Sequence, residues 1–211
     1  MRASLTQLKK EAARERILQA ARDVVALDGW QDAQIALIAH RADVATGSIY
    51  RHFDSKADLY AQVLAMVSER EVAVVAAIVD SEGSCAQRLT DCITAFSLRA
   101  MRGRRLAYAL IAEPCEPAIN AARLKYRAAL ADQIARVIKQ GIASGEFIDI
   151  DVRLGASCVT GAFMEALVGP LAPELEPDSK AARKTAASIA AMSARMLFKQ
   201  GTQGLALVKK G

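Results

Sequence analysis

The chain is expected to be all α, with about nine helices. Three observations predict this. Apolar residues recur at helical spacing through most of the 211 residues, in an i, i+3, i+4 pattern rather than in alternation. The composition is 53% hydrophobic and Ala-rich but only 5% aromatic, which favours packed helices over sheet. Glycine and proline fall mostly between the periodic stretches, at Gly29, Gly103, Pro114, Pro117, Gly169 and Pro170.

The first helix is expected from about Leu8 to Leu27, with Ile17, Ala20, Ala21, Val24 and Val25 on one face. Gly29 sits where glycine commonly ends a helix, and Trp30 is expected to anchor the following loop in the core. From Gln34 to Arg41, Ile35, Ile38 and Ala39 share a face too short to stand alone as a helix. A break at Ala42-Asp43-Val44 precedes a second short helix, about Ala45 to Arg51. Two short helices joined by a tight turn make a helix-turn-helix. Asp43 falls where the turn wants a residue tolerant of positive φ. If Val44 and Ile49 face the core, then Thr46, Gly47, Ser48 and Arg51 face outward, and small polar residues suit a DNA major groove. Ser55-Lys56-Ala57-Asp58 resembles a capping box and starts a long helix to about Val79, carrying Leu59, Val63, Met66 and Val67.

Asp80 to Ser84 reads as a break. Ala86 to Met101 follows, with Leu89, Ile93 and Phe96 in register, and Gly103 divides it from Arg104 to Ala112. Arg99, Arg102, Arg104 and Arg105 read as a solvated corner, with an anion site as the alternative. A long amphipathic helix carries Ile119, Arg123, Tyr126, Leu130, Ile134, Val137 and Ile138 and ends near Gly141. Asp149 or Asp151 is expected to cap the next helix, about Asp151 to Val168, where small residues (Gly155, Ala156, Ser157, Gly161, Ala162) alternate with Val159, Phe163 and Leu167. A last helix spans about Asp178 to Phe198. Two apolar terminal helices, one of them rich in small residues, suit a symmetric four-helix interface between two copies; packing inside one subunit is the alternative. The expected division is 1–55, 56–200 and a tail at 201–211.

The run Gly29-Trp30, Ile38-Ala39, Ala42-Asp43-Val44, Gly47-Ser48-Ile49-Tyr50, His52-Phe53, Ser55-Lys56 and Leu59 resembles the DNA-binding domain of the tetracycline-repressor (TetR) family. The match runs without a gap over roughly residues 10 to 65. Two positions depart from the family pattern: Gln34 stands where Thr is usual and Asp43 where Gly is usual, with Asp32 available as a substitute cap. The resemblance implies a homodimeric repressor released from a pseudo-palindromic operator by a small-molecule ligand. It implies DNA contacts by Gln34, Arg41, Ala45, Thr46, Gly47, Ser48, Tyr50, Arg51, His52 and Lys56, with His52 and Lys56 on phosphates. A second likeness, Ala112-Glu113-Pro114, Arg123, Tyr126 and Gly145-Glu146-Phe147, is to a subset of the family's C-terminal domains. In the fold that the family resemblance implies, the middle helices enclose a ligand cavity; the candidates to line it are Phe96, Met101, Tyr108, Tyr126, Phe163 and Met164, each with core packing as the alternative, and the polar candidates are Glu113, Arg123 and Glu165.

Charge agrees with localised rather than diffuse nucleic-acid contact. The net +5 divides as +1 for residues 1–60, +1 for 61–150 and +3 for 151–211, while the first 22 residues alone hold six basic and two acidic residues. Basic residues there can reach phosphates or belong to a solvated end. Cys85, Cys92, Cys115 and Cys158 form no metal-binding spacing, and no cofactor motif is present. The longest apolar run, Leu154 to Met164, is 11 residues, short of a membrane span, so the chain reads as cytoplasmic with reduced thiols. The two histidines, His40 and His52, both lie in the helix-turn-helix with no carboxylate fixed beside them, so no enzyme is expected. The competing reading is an all-helical small-molecule-binding protein that no longer reads DNA.

Overall fold

The computed structural model describes residues 5–173 and 179–198. Among them all regular structure is helical: α1 (Leu5–Asp32), α2 (Ile35–Arg41), α3 (Thr46–Ile49), α4 (Lys56–Val79), α5 (Cys85–Arg102), α6 (Arg104–Ile111), α7 (Pro117–Ala143), α8 (Val152–Leu171) and α9 (Ser179–Arg195). Arg2, the expected helix start at Asp178 and the tail at 201–211 lie outside the described residues.

The chain forms two compact units, one of residues up to Ser68 with Arg105–Leu124, the other of Glu69–Arg104 with residues from Lys125 onward. The grouping is therefore not the contiguous split at 55/56. The reason is a set of bonds between distant residues. Trp30 Nε1 donates to the Ala109 carbonyl at 2.6 Å, and Arg105 Nη2 donates to the Asp28 carbonyl at 2.8 Å. Both bind the 105–124 segment to the end of α1.

In the first unit, α1 buries Ile17, Ala21, Val24 and Val25, the stripe its spacing predicts. The helix breaks at a non-helical Gly29, φ 80°, the glycine expected to end it, and a short helical stretch follows to Asp32. A Cβ on Gly29 would lie 1.9 Å from Arg105 Nη2 and 2.6 Å from Glu113 Oε1, so a side chain there would displace that pair and would also be strained by the positive φ. Trp30 is buried, with its ring 5.3 Å from that of Tyr60. Ser55 Oγ caps α4 by accepting from Asp58 N at 3.0 Å, and the Asp58 carboxylate accepts from Asp54 N at 3.0 Å.

In the second unit, α5 is capped twice. Ser84 Oγ accepts from Gln87 N at 3.1 Å, and Glu146, from the loop after α7, accepts from Cys85 N at 3.1 Å and Ala86 N at 3.0 Å. Leu89, Ile93, Phe96, Ile134, Val137, Ile138, Val159, Phe163 and Leu167 are buried. α9 packs chiefly along α5 and less on α8. Its buried Ala186, Ala190 and Ala194, each one turn apart, allow that close approach.

Three of the four arginines expected at a solvated corner are instead bonded. Arg99 forks onto Glu71 at 2.6 and 2.7 Å, Arg104 donates to the carbonyls of Leu171 and Ala172, and Arg105 pairs with Glu113 at 3.0 Å. Arg102 is exposed.

Asp151, not Asp149, caps α8, accepting from Leu154 N at 2.8 Å. The helix runs through Pro170 to Leu171 rather than stopping at Val168, because a proline in the last turn removes only one helical donor. At 20 residues α8 is long and apolar enough, by length and composition, to cross a membrane. The apolar run read from the sequence stops at Glu165, but the helix continues through that residue, which is exposed. Val159, Phe163, Leu167 and Leu171 are buried in the unit, as in a core helix.

Candidate nucleic-acid interface

The turn between α2 and α3 is built by short-range chemistry. Ala42 N donates to Ile38 O at 2.9 Å, Asp43 N to His40 O at 3.2 Å and Val44 N to Ala39 O at 3.1 Å. Closing this loop puts Asp43 at φ 54°, where Asp is among the few tolerated side-chain-bearing residues. Ala39 is buried at the helix crossing, and Arg16 Nε of α1 braces the turn through the Ala42 carbonyl at 3.4 Å. No side chain caps α2: Gln34 holds the extended N-cap position without such a bond, so the expected service of Asp32 is not seen.

α3 is shorter than expected, four residues against about seven, because Tyr50 and Arg51 already turn out of the helix. Ile49 is fully buried beneath it. Above it Ala45, Thr46, Gly47, Tyr50 and Arg51 are exposed, as are Gln34 and Arg41, while Ser48, His52 and Lys56 are half-buried. All ten residues expected to contact DNA thus lie in one short stretch with an accessible side. A Cβ on Gly47 would meet nothing within 4 Å, so its bareness serves no internal packing and leaves the helix crest low.

Cationic groups surround this stretch. Arg14 of α1 stacks over the Phe53 ring at 5.2 Å and bonds to Gln62, and Lys56 lies 5.4 Å from the Tyr60 ring centroid. His52 Nδ1 is buried without a partner. Burial lowers the His52 pKa below the ordinary 6.5, and the charges of Lys10, Arg51 and Arg14 lower it further. Sequence spacing alone does not bring Lys10 and Arg14, some forty residues upstream, to His52.

The ligand candidates separate between the two units. Phe96, Met101, Tyr126, Phe163 and Met164 belong to the second, and Tyr108, Glu113 and Arg123 to the first. Phe96 and Phe163 are buried edge to face, 5.3 Å apart, with Met164 buried and Met101 half-buried. Tyr126 donates to Glu69 at 2.8 Å, and burial with that bond pushes its phenol up to about 12. The polar candidates are corrected by their bonding. The Glu113 carboxylate is occupied by Arg105, and the Arg123 guanidinium holds the carbonyls of Leu110, Ala109 and Glu113 at 2.9, 3.1 and 2.7 Å. Both are committed to the fold. Glu165 is exposed rather than turned inward.

Residues 17–63 match the family model for bacterial regulatory proteins of the tetR family, and residues 86–193 that for the tetracyclin repressor-like C-terminal domain. The chain belongs to the tetR family. The HTH-type transcriptional repressor KstR of Mycolicibacterium smegmatis is 40% identical over 70 residues, 32% of this chain and 34% of that protein. This TetR-family chain therefore spans about a third of the length of the curated relatives it matches. FadR from Bacillus subtilis, solved with stearoyl-CoA, shares the fold at a TM-score of 0.71 and 18% identity, covering 86% of this chain and 96% of that one. RolR, solved with resorcinol, does so at 0.68 and 20%, covering 92% and 91%. At these identities the likeness is one of fold.

Proposed function

We propose that this protein is a ligand-responsive transcriptional repressor that reads a pseudo-palindromic operator as a homodimer. The observation that carries the reading is α3: a four-residue helix with Ile49 buried below it and Thr46, Gly47, Tyr50 and Arg51 exposed above. α3 of each copy enters a major groove, with Gln34, Arg41, Ala45 and Ser48 beside it and Tyr50, His52 and Lys56 on the flanking backbone. Half-sites then lie about 34 Å apart, or a variant of that spacing. The copies meet through the outer faces of α8 and α9, where Leu154, Met192 and Met196 are exposed.

The effector seat is proposed within the second unit, around Phe96, Met101, Phe163 and Met164, with Tyr126 as a flanking candidate. Buried hydroxyls support it: Ser97 Oγ and Thr160 Oγ1, on the two helices that carry the Phe96–Phe163 pair, have no hydrogen-bond partner. An effector with an apolar body and a hydrogen-bonding group fits such a lining. By linkage, effector and operator weaken each other's binding by the same factor.

The test starts with enrichment of duplexes from random DNA by the wild-type protein. Tyr50→Ala with Lys56→Ala is expected to abolish retention of the enriched operator in a gel shift while helical circular dichroism is kept. Unchanged retention would refute the site. Enrichment of no sequence favours the ligand-binding protein that does not read DNA.

A further inference from the structure

We propose that Trp30 is a positioning residue for DNA reading, transmitting the placement of the Arg105–Leu124 segment to the start of α2. The proposal rests on the DNA-reading role given above. Its basis is a continuous series of contacts inside the first unit. Arg123 gathers the carbonyls at the end of α6, among them Ala109 O at 3.1 Å. The same oxygen accepts Trp30 Nε1 at 2.6 Å. The Trp30 ring lies 5.3 Å from Tyr60, whose hydroxyl donates to Ala33 O at 2.7 Å. Ala33 is buried and immediately precedes Gln34, the N-cap of α2. Beside this line, Arg105 bonds to both Asp28 O and Glu113, and the pair occupies the space left by the missing Cβ of Gly29.

Two features make the line a lever. α2 has no side-chain cap to fix its first turn, and the bond from the Tyr60 hydroxyl holds the Ala33 carbonyl, in the backbone immediately before the N-cap residue. At seven and four residues, α2 and α3 are too short to hold an orientation by themselves. The Arg105–Leu124 segment is joined through the chain, at Arg104 and at Lys125, to the second unit.

Trp30→Phe tests the link cleanly. It keeps a ring against Tyr60, and Ala109 O keeps its bond from Arg123, so no buried acceptor is orphaned. In the full chain, affinity for the enriched operator is expected to fall at least about fivefold, with affinity for random duplex held within about twofold because phosphate contacts are untouched. Hydrogen exchange of the α2 amides is expected to quicken at least about fivefold while that of the α5 amides stays as in wild type. Tyr60→Phe, which removes only the last bond, is expected to act alike. Wild-type operator affinity and α2 exchange in both variants would overturn the proposal. So would equal losses on operator and random DNA with α5 exchange also raised, which would make Trp30 a support of the fold alone. If the wild type enriches no sequence, the DNA-reading role fails, and the exchange measurements still decide the link.

Discussion

His52 is placed where its charge depends on what lies next to it. In the free protein, burial and then the nearby cations Lys10, Arg51 and Arg14 disfavour a further positive charge, which lowers the imidazole pKa from its ordinary 6.5. The folded pKa is below the unfolded one. Stability tied to this group is therefore intact above about pH 6.5 and is lost as pH falls through the lowered folded value. A DNA phosphate beside the ring reverses the local field and favours the proton. Operator affinity at fixed salt is expected to rise as pH drops from about 8 to about 6, with a slope of at most about one proton per subunit. His52→Gln is expected to flatten that slope and His40→Gln to leave it, as measured by fluorescence anisotropy. A flat wild-type profile would show that His52 does not meet phosphate. The cysteines are simpler. Cys85 and Cys92 are seven residues apart on α5, about 10.5 Å along the axis, beyond the reach of a disulfide, and burial pushes the Cys92 thiol up to about 12. That leaves no redox switch between them.

At the scale of elements, the first turn of α5 has its donors met from two directions, by Ser84 nearby and by Glu146 sixty residues on. Burial acts to raise the Glu146 pKa, but the hydrogen bonds from Ala86 N, Cys85 N and Ser144 outweigh it, and the net shift is downward. This stabilisation is present above the ordinary pKa of 4.5 and is lost as pH falls through the lowered folded value. Glu146→Gln is expected to cost about 1 kcal/mol near neutral pH, measured by chemical denaturation, with the difference closing at acid pH. An equal deficit at every pH would mean the loss is one of shape. Most of the helices were legible because their signals are local: Ile17 to Val25 repeats at helical spacing, Ser55 with Asp58 and Asp151 mark helix starts, and Asp43 marks the turn. The burial pattern of α3 was legible for the same reason, since Ile49 and its exposed neighbours lie within a few residues of one another. The grouping of Arg105–Leu124 with α1 was not. It depends on Trp30 meeting Ala109 and Arg105 meeting Asp28, 79 and 77 residues apart, with carbonyls that no side-chain pattern reports. The partners of Glu113 and Arg123 were hidden for the same reason: Arg105 is eight residues away from Glu113, and Arg123 meets backbone carbonyls.

For the whole molecule, the proposed assembly turns on the outer face of α8. Gly155 and Gly161 are both small residues on one helix, yet they differ in what surrounds them. A Cβ at Gly155 would lie 2.6 Å from Ile150, so that glycine serves packing within the subunit. A Cβ at Gly161 would meet nothing within 4 Å. The subunit by itself gives no reason for a bare backbone there, whereas a second helix crossing at that point would need one. On the same face of α8 Leu154, 65% exposed, and Cys158 are exposed, with Glu165 one turn beyond Gly161, and Met192 is 71% exposed on α9, so the outer faces of these two helices carry uncovered apolar side chains beside one carboxylate. Gly161→Leu is thus expected to leave the single subunit folded, since helix propensity favours leucine by roughly 1 kcal/mol, while blocking close approach of a second copy. Sedimentation velocity is expected to show a dimer for the wild type and a monomer for Gly161→Leu, with undiminished helical circular dichroism. Because one reading helix holds only a half-site, the monomer is expected to lose specific operator affinity while keeping weak, salt-dependent binding to random duplex. A Gly161→Leu protein that sediments as a dimer and holds the operator would place the contact elsewhere on the molecule and leave the open face at Gly161 without a role in assembly.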